Sequence, residues 1–170
     1  MISQIVPRAG AHFDLQAAAH VGISVSDLDS SVAFYRAITG TEPTVLDETM
    51  DSKGFATAQG LPFTRLRYAT FQLQNIGIDL IQFLDPAGEP QQNGANRPGS
   101  MHLCFRVDGV QDVYKRMSDA GITFLGEPYK FVTGEVTPDE AAGTEVAYFN
   151  DPDGTLLELI APKGGFAGPN

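Results

Sequence analysis

The sequence predicts an α+β fold in which two βαβββ repeats form a curved mixed sheet around a central cleft. Two observations carry this reading. First, AAHVGISVSDLDSSVAFYR and GSMHLCFRVDGVQDVYKR begin alike. Each sets a histidine, His20 or His102, at the head of an alternating apolar run that leads into an amphipathic segment. Second, GIDLIQF (77–83) and GTLLELI (154–160) match, and aligning DLI with ELI sets Asp79 opposite Glu158. The histidines lie 82 positions apart and the carboxylates 79, which fits two copies separated by a short indel.

Each element follows from its local pattern. In HVGISV (20–25), Val21, Ile23 and Val25 fall on one face and His20, Gly22 and Ser24 on the other, the period of a half-buried strand. A helix follows, with Asp27 as N-cap, an apolar stripe of Leu28, Val32, Tyr35 and Ile38, and Gly40 as its stop. Strands are expected at about 43–47, 54–58 and 66–73 before the closing GIDLIQF. The second repeat starts with HLCFRV (102–107), where Leu103, Phe105 and Val107 oppose His102, Cys104 and Arg106. Its helix carries Val110, Val113, Tyr114 and Met117 on one face and ends at Gly121. Strands are then expected at about 122–126 and 144–149, with a turn-rich acidic loop over 134–143. The turn DPDG (151–154) joins the last two strands as a tight hairpin.

These boundaries give a single domain over 18–162, with repeat one at 18–88 and repeat two at 100–162. An N-terminal extension (1–17) and a C-terminal tail (163–170) flank it. The 170 residues suffice for one hydrophobic core or two small fused repeats. A net charge of −10, with no basic cluster, argues against nucleic-acid binding and against an anionic membrane surface. No signal-peptide pattern or membrane-length apolar run is seen, and the one cysteine suits a reducing compartment, so a cytoplasmic location is expected.

His20, Asp79, His102 and Glu158 agree in repeat position and in strand facing, all lying opposite the apolar faces. Two imidazoles and two carboxylates suit a divalent metal of intermediate character: Zn, Fe(II), Mn, Co or Ni. Taken singly, a strand histidine is more often a hydrogen-bonded pocket residue, and a Glu between leucines a solvated face. Chance would have to act on both repeats at once, which favours one metal ion per site.

The segments HVGISVSDLDSSVAFYRAITG, IDLIQF, PGSMHLCFRVDGV and VAYFNDPDGTLLELI together resemble the vicinal oxygen chelate superfamily, which includes glyoxalase I, methylmalonyl-CoA epimerase, extradiol dioxygenases, fosfomycin-resistance enzymes and bleomycin-binding proteins. The resemblance spans about 20–162 and implies metal ligands at His20, His102 and Glu158. It places the second ligand, usually Glu, Gln or His, on Asp79. Aspartate is one methylene shorter, so either it binds through water or the other three form a two-His-one-carboxylate set of the non-haem Fe(II) kind.

The leading expectation is a metal-dependent isomerase, epimerase or lyase on a small oxygenated substrate, nearer in look to the epimerase branch. Its metal would chelate two neighbouring oxygens and stabilise an enolate, with Glu158 or Asp79 moving the proton. An Fe(II) dioxygenase is the second reading and a non-catalytic antibiotic-binding protein the third. Arg106, Phe83 and Tyr148 are candidate substrate contacts, and Phe149 either a pocket wall or ordinary core. Cys104 either lines the pocket or, with no basic neighbour identified, reads as a small packing residue, and His12 reads as part of a disordered tail. A homodimer is left open.

Overall fold

In the computed structural model, which describes residues 17–45, 49–90 and 94–166, each repeat forms its own sheet. In the first unit, β1 (His20–Ser24) runs parallel to β5 (Gly77–Asp85). Antiparallel β4 (Arg65–Gln72) and β2 (Thr44–Val45) complete the order β1-β5-β4-β2, with β3 (Met50–Asp51) also pairing β4. The second unit repeats the plan. Here β6 (His102–Arg106) runs parallel to β9 (Leu156–Ala161), followed by antiparallel β8 (Glu145–Asn150) and β7 (Tyr129–Lys130). The paired βαβββ architecture is as expected, but the strands are divided between two sheets rather than continuous in one.

Helix α1 (Leu28–Thr39) starts where Asp27 accepts a hydrogen bond from the Ser30 amide, and it ends at Gly40 in the left-handed region, φ 66°. Helix α3 (Val110–Asp119) uses the expected stripe, with Val110 fully buried and Val113, Tyr114 and Met117 packed against the core. Strand alternation supplies the rest. Ile23, Leu80 and Ala69 lie in one row across the first sheet, and Phe105, Leu159 and Ala147 in the matching row of the second. Five of these belong to one buried hydrophobic cluster shared by the two units, and Phe105 packs against it.

Three expected strands differ. The stretch 54–58 lies in a helix, α2 (Lys53–Ala58), because Ser52 caps it by accepting from the Phe55 amide, and Ala56 is its one buried residue. The stretch 122–126 contributes only a single bridge, Phe124 to Phe149, and the strand forms at β7, beyond Gly126 and Pro128. Of 43–47, Thr44 and Val45 form β2, whereas Leu46 and Asp47 fall outside the described residues. So do His12 and all of the N-terminal extension except Ala17. The loop 134–143 holds a 3₁₀ turn at Asp139–Ala141 that buries Ala141 completely. No helix among the described residues is long and apolar enough to cross a membrane.

The hairpin after β8 ties the units together. Asp151, buried, accepts from the amides of Asp153 (3.0 Å) and Thr155 (2.7 Å) with one oxygen. Its other oxygen accepts from the Tyr35 hydroxyl of α1 at 3.1 Å. Asp153 accepts from the Ser26 amide at 3.0 Å. Burial first, then the Asp151 carboxylate, hold the Tyr35 phenol well above its ordinary pKa.

Candidate metal centre

The face of each sheet opposite the shared core carries the candidate ligands, in matching rows. In the first unit the rows are His20–Gly77–Gln72, Gly22–Asp79–Thr70 and Ser24–Ile81–Tyr68. In the second they are His102–Leu156–Asn150, Cys104–Glu158–Tyr148 and Arg106–Ile160–Val146. Asp79 and Glu158 are therefore equivalent in register as well as in sequence.

Each histidine faces the carboxylate of its own unit. His20 Nε2 lies 3.6 Å from Asp79 Oδ2, and His102 Nε2 lies 3.0 Å from Glu158 Oε2. The two pairs differ in exposure: the Asp79 side chain is 24% exposed and that of Glu158 only 7%. The histidines stand further out, at 57% and 46%. The four residues thus come together as two pairs. Among the described residues, no three His, Cys, Asp or Glu side chains gather closely enough to hold one metal ion.

The third strand of each sheet holds the carboxylate, a role that sequence reading missed. Thr70 Oγ1 donates to Asp79 Oδ1 at 2.7 Å. In the equivalent place Tyr148 hydrogen-bonds Glu158, and its ring stands edge-on to His102 with centroids 6.1 Å apart. Burial, then the Glu158 charge, push the Tyr148 phenol up to about 12. Cys104 shares that row, on the face its alternation predicts, and its thiol also bonds Glu158. Shielding by its neighbours, then the Glu158 charge, push the thiol up to about 12, so it stays protonated near neutrality. Spacing alone does not expose Thr70 and Tyr148 as partners, because they depend on the register between β4 and β5 and between β8 and β9.

Arg106 extends the His102 face, exposed, four residues further along β6. Phe83 is half-buried on β5, four residues past Asp79. Phe149 is fully buried core, packed on Phe124. Gly77 lies directly beneath His20, where a Cβ would stand 3.3 Å from the histidine's own Cβ. Gly77→Val is expected to tilt His20 away from Asp79 and to weaken metal binding about tenfold or more, measured by metal titration, because ligand orientation governs affinity.

A family model described as Glyoxalase/Bleomycin resistance protein/Dioxygenase superfamily matches residues 17–159. The chain is 24% identical over 151 residues to a protein named glyoxylase I 4 from Arabidopsis thaliana, covering 89% of this chain and 74% of that one. It is 26% identical over 151 residues to 2-epi-5-epi-valiolone epimerase from an Actinomyces species, covering 86% and 79%. Among solved structures, a glyoxalase family protein from Bacillus cereus superimposes with a TM-score of 0.67 at 21% identity, covering 92% of this chain and all of that one. The fosfomycin resistance protein FosX from Listeria monocytogenes, solved with Mn(II) and sulfate, gives 0.52 at 19% identity, covering 86% and 93%.

Proposed function

Because the chain belongs to the glyoxalase/bleomycin resistance protein/dioxygenase superfamily, we propose that it is a divalent-metal-dependent isomerase, epimerase or lyase acting on a small oxygenated substrate. One observation carries this reading: each unit presents a histidine facing a carboxylate at the same register position, 3.6 Å apart in one and 3.0 Å in the other. Two such pairs supply two nitrogen and two carboxylate donors, a set suited to Zn, Fe, Mn, Co or Ni. Bound by His20, His102, Glu158 and Asp79, the ion would supply Lewis acidity to two neighbouring substrate oxygens and acidify the adjacent C–H.

The chain's own residues do the rest. Glu158, nearly buried and held by Tyr148, has the fixed geometry of a ligand. Asp79 is more open and stands further from its histidine, so it is the freer carboxylate to carry the proton between the two faces of the reacting carbon. Thr70 holds one Asp79 oxygen and leaves the other turned toward His20.

The two pairs meet between copies of the chain. Both lie on faces opposite the one core that the units share, so folding them onto each other within a chain would open that core. Each large apolar side chain so exposed costs about 1.5–3 kcal/mol. A twofold dimer instead sets the first unit of one copy against the second unit of the other and forms two equivalent sites.

Elemental analysis tests the metal reading, on protein purified without oxygen and reconstituted with each candidate ion. One tightly held ion per chain, with several metals accepted, is expected; no binding would overturn it. Asp79→Ala refines it. Metal affinity falling about tenfold or more is expected for a direct ligand. Unchanged affinity with selective, air-sensitive retention of Fe(II) would instead favour a dioxygenase built on His20, His102 and Glu158, a reading that the longer His20–Asp79 separation supports.

A further inference from the structure

We infer that the metal site opens onto an apolar subsite on the second unit, and that the substrate places an uncharged ring or branched alkyl body there. The inference rests on the metal reading only for where the reacting oxygens lie. A cavity of about 280 Å³ is lined by Leu125, Glu127, Tyr129, Val146, Tyr148 and Leu156, among others. It is roomier than the roughly 150 Å³ that admits benzene.

Its position follows from strand alternation. Val146 and Tyr148 on β8 and Leu156 on β9 share the face that carries His102 and Glu158. Leu156 pairs with His102, and Tyr148 pairs with Glu158. The Tyr148 ring is thus a common wall, with the ligand pair on one side and the cavity on the other.

The walls are formed in advance. The Leu125 amide donates to the Tyr148 carbonyl at 2.8 Å. The Tyr129 hydroxyl donates to the Glu135 carboxylate at 2.7 Å, and Glu135 also accepts from the Val132 amide at 3.0 Å. Tyr129 is in this way braced as the outer wall by the acidic loop, which gives that loop a task that its composition did not reveal.

Charge then selects the occupant. Among the described residues, Glu127 is the one charged side chain in the lining, and Lys130 nearby is engaged by Glu145 at 3.3 Å. A carboxylate or phosphate entering the cavity would lose water, find no cation in the lining and meet Glu127. An uncharged apolar group loses nothing comparable and gains burial. The subsite therefore favours substrates whose vicinal oxygens sit on a neutral apolar frame over those carried on anionic groups.

Two probes separate these classes: 2-hydroxyacetophenone, a neutral ring bearing adjacent oxygens, and its para-carboxylate. Titration of methyl-labelled protein, apo and metal-loaded, is expected to shift Leu125 and Val146 methyl signals with the neutral probe. It should bind about tenfold or more tighter than the carboxylate, a 1.4 kcal/mol preference. Glu127→Gln should narrow that ratio and Leu125→Arg should reverse it; both positions are exposed, so the fold should survive. Equal binding of the two probes, or silent methyl signals at Leu125 and Val146, would overturn the subsite. Metal binding is scored separately in the same samples. A protein that shifts Leu125 with the ring probe yet holds no metal would sink the metal reading and leave the subsite standing.

Discussion

His102→Ala protein is expected to lose tight metal binding, and mixing it with His20→Ala protein is expected to bring part of that binding back. Each variant removes a nitrogen donor from every site, which should weaken affinity more than the ten- to hundredfold typical of outer residues around a metal. When the two chains re-mix at random, half the dimers are hybrids. Each hybrid has one site built from the intact second unit of one copy and the intact first unit of the other, so roughly a quarter of wild-type sites should return. A site closed within one chain predicts no recovery, because every chain then carries a broken site. Metal content after unfolding and joint refolding decides between them, and sedimentation should report a dimer in both parents.

Asp151→Ala is expected to destabilise the fold by about 2–4 kcal/mol, measured by urea unfolding. The carboxylate accepts two backbone amides of its own hairpin and the Tyr35 hydroxyl of the other unit. Removing it strands three donors, one of them on a tyrosine with no exposed surface. Tyr35→Phe is the control. It deletes the donor along with the bond and leaves Asp151 its two amides, so about 1 kcal/mol is expected. An Asp151→Ala variant within about 0.5 kcal/mol of wild type would show that the hairpin does not clamp the units. The pH dependence has a definite sign. Tyr35 has a raised pKa in the folded state, so its contribution is complete below the ordinary phenol value of about 10 and is lost as pH rises beyond it.

Much of this was legible in the chain because repeats and period-two alternation are local signals. Parity alone puts His20, Asp79, His102 and Glu158 on the faces opposite the apolar ones, and the register then brings them together as two pairs, with Gly22–Asp79–Thr70 matching Cys104–Glu158–Tyr148. What stayed hidden depends on partners distant in sequence or on local competition. Residues 54–58 alternate well enough to suggest a strand, but one serine cap converts them to helix. Phe124 aligns with Phe149 for a single bridge, after which Gly126 and Pro128 defer the strand to Tyr129. Alternation with Leu103 and Phe105 puts Cys104 on the His102 face, but its bond to Glu158 needs the register between β6 and β9. The division into two sheets was equally out of reach, since nothing in a repeat states whether its copies join edge to edge.

The core shared by the two units has a consequence for how the molecule comes apart. Ile23, Leu80 and Tyr35 of one unit are buried in the same cluster as Phe149, Leu157 and Leu159 of the other. Neither half retains a complete interior without its neighbour, so the two are expected to lose their structure in one cooperative transition rather than in succession. The duplication visible in the sequence is thus no longer a duplication in thermodynamic terms: the copies have given up their autonomy. The linker between them separates two motifs but not two folding units.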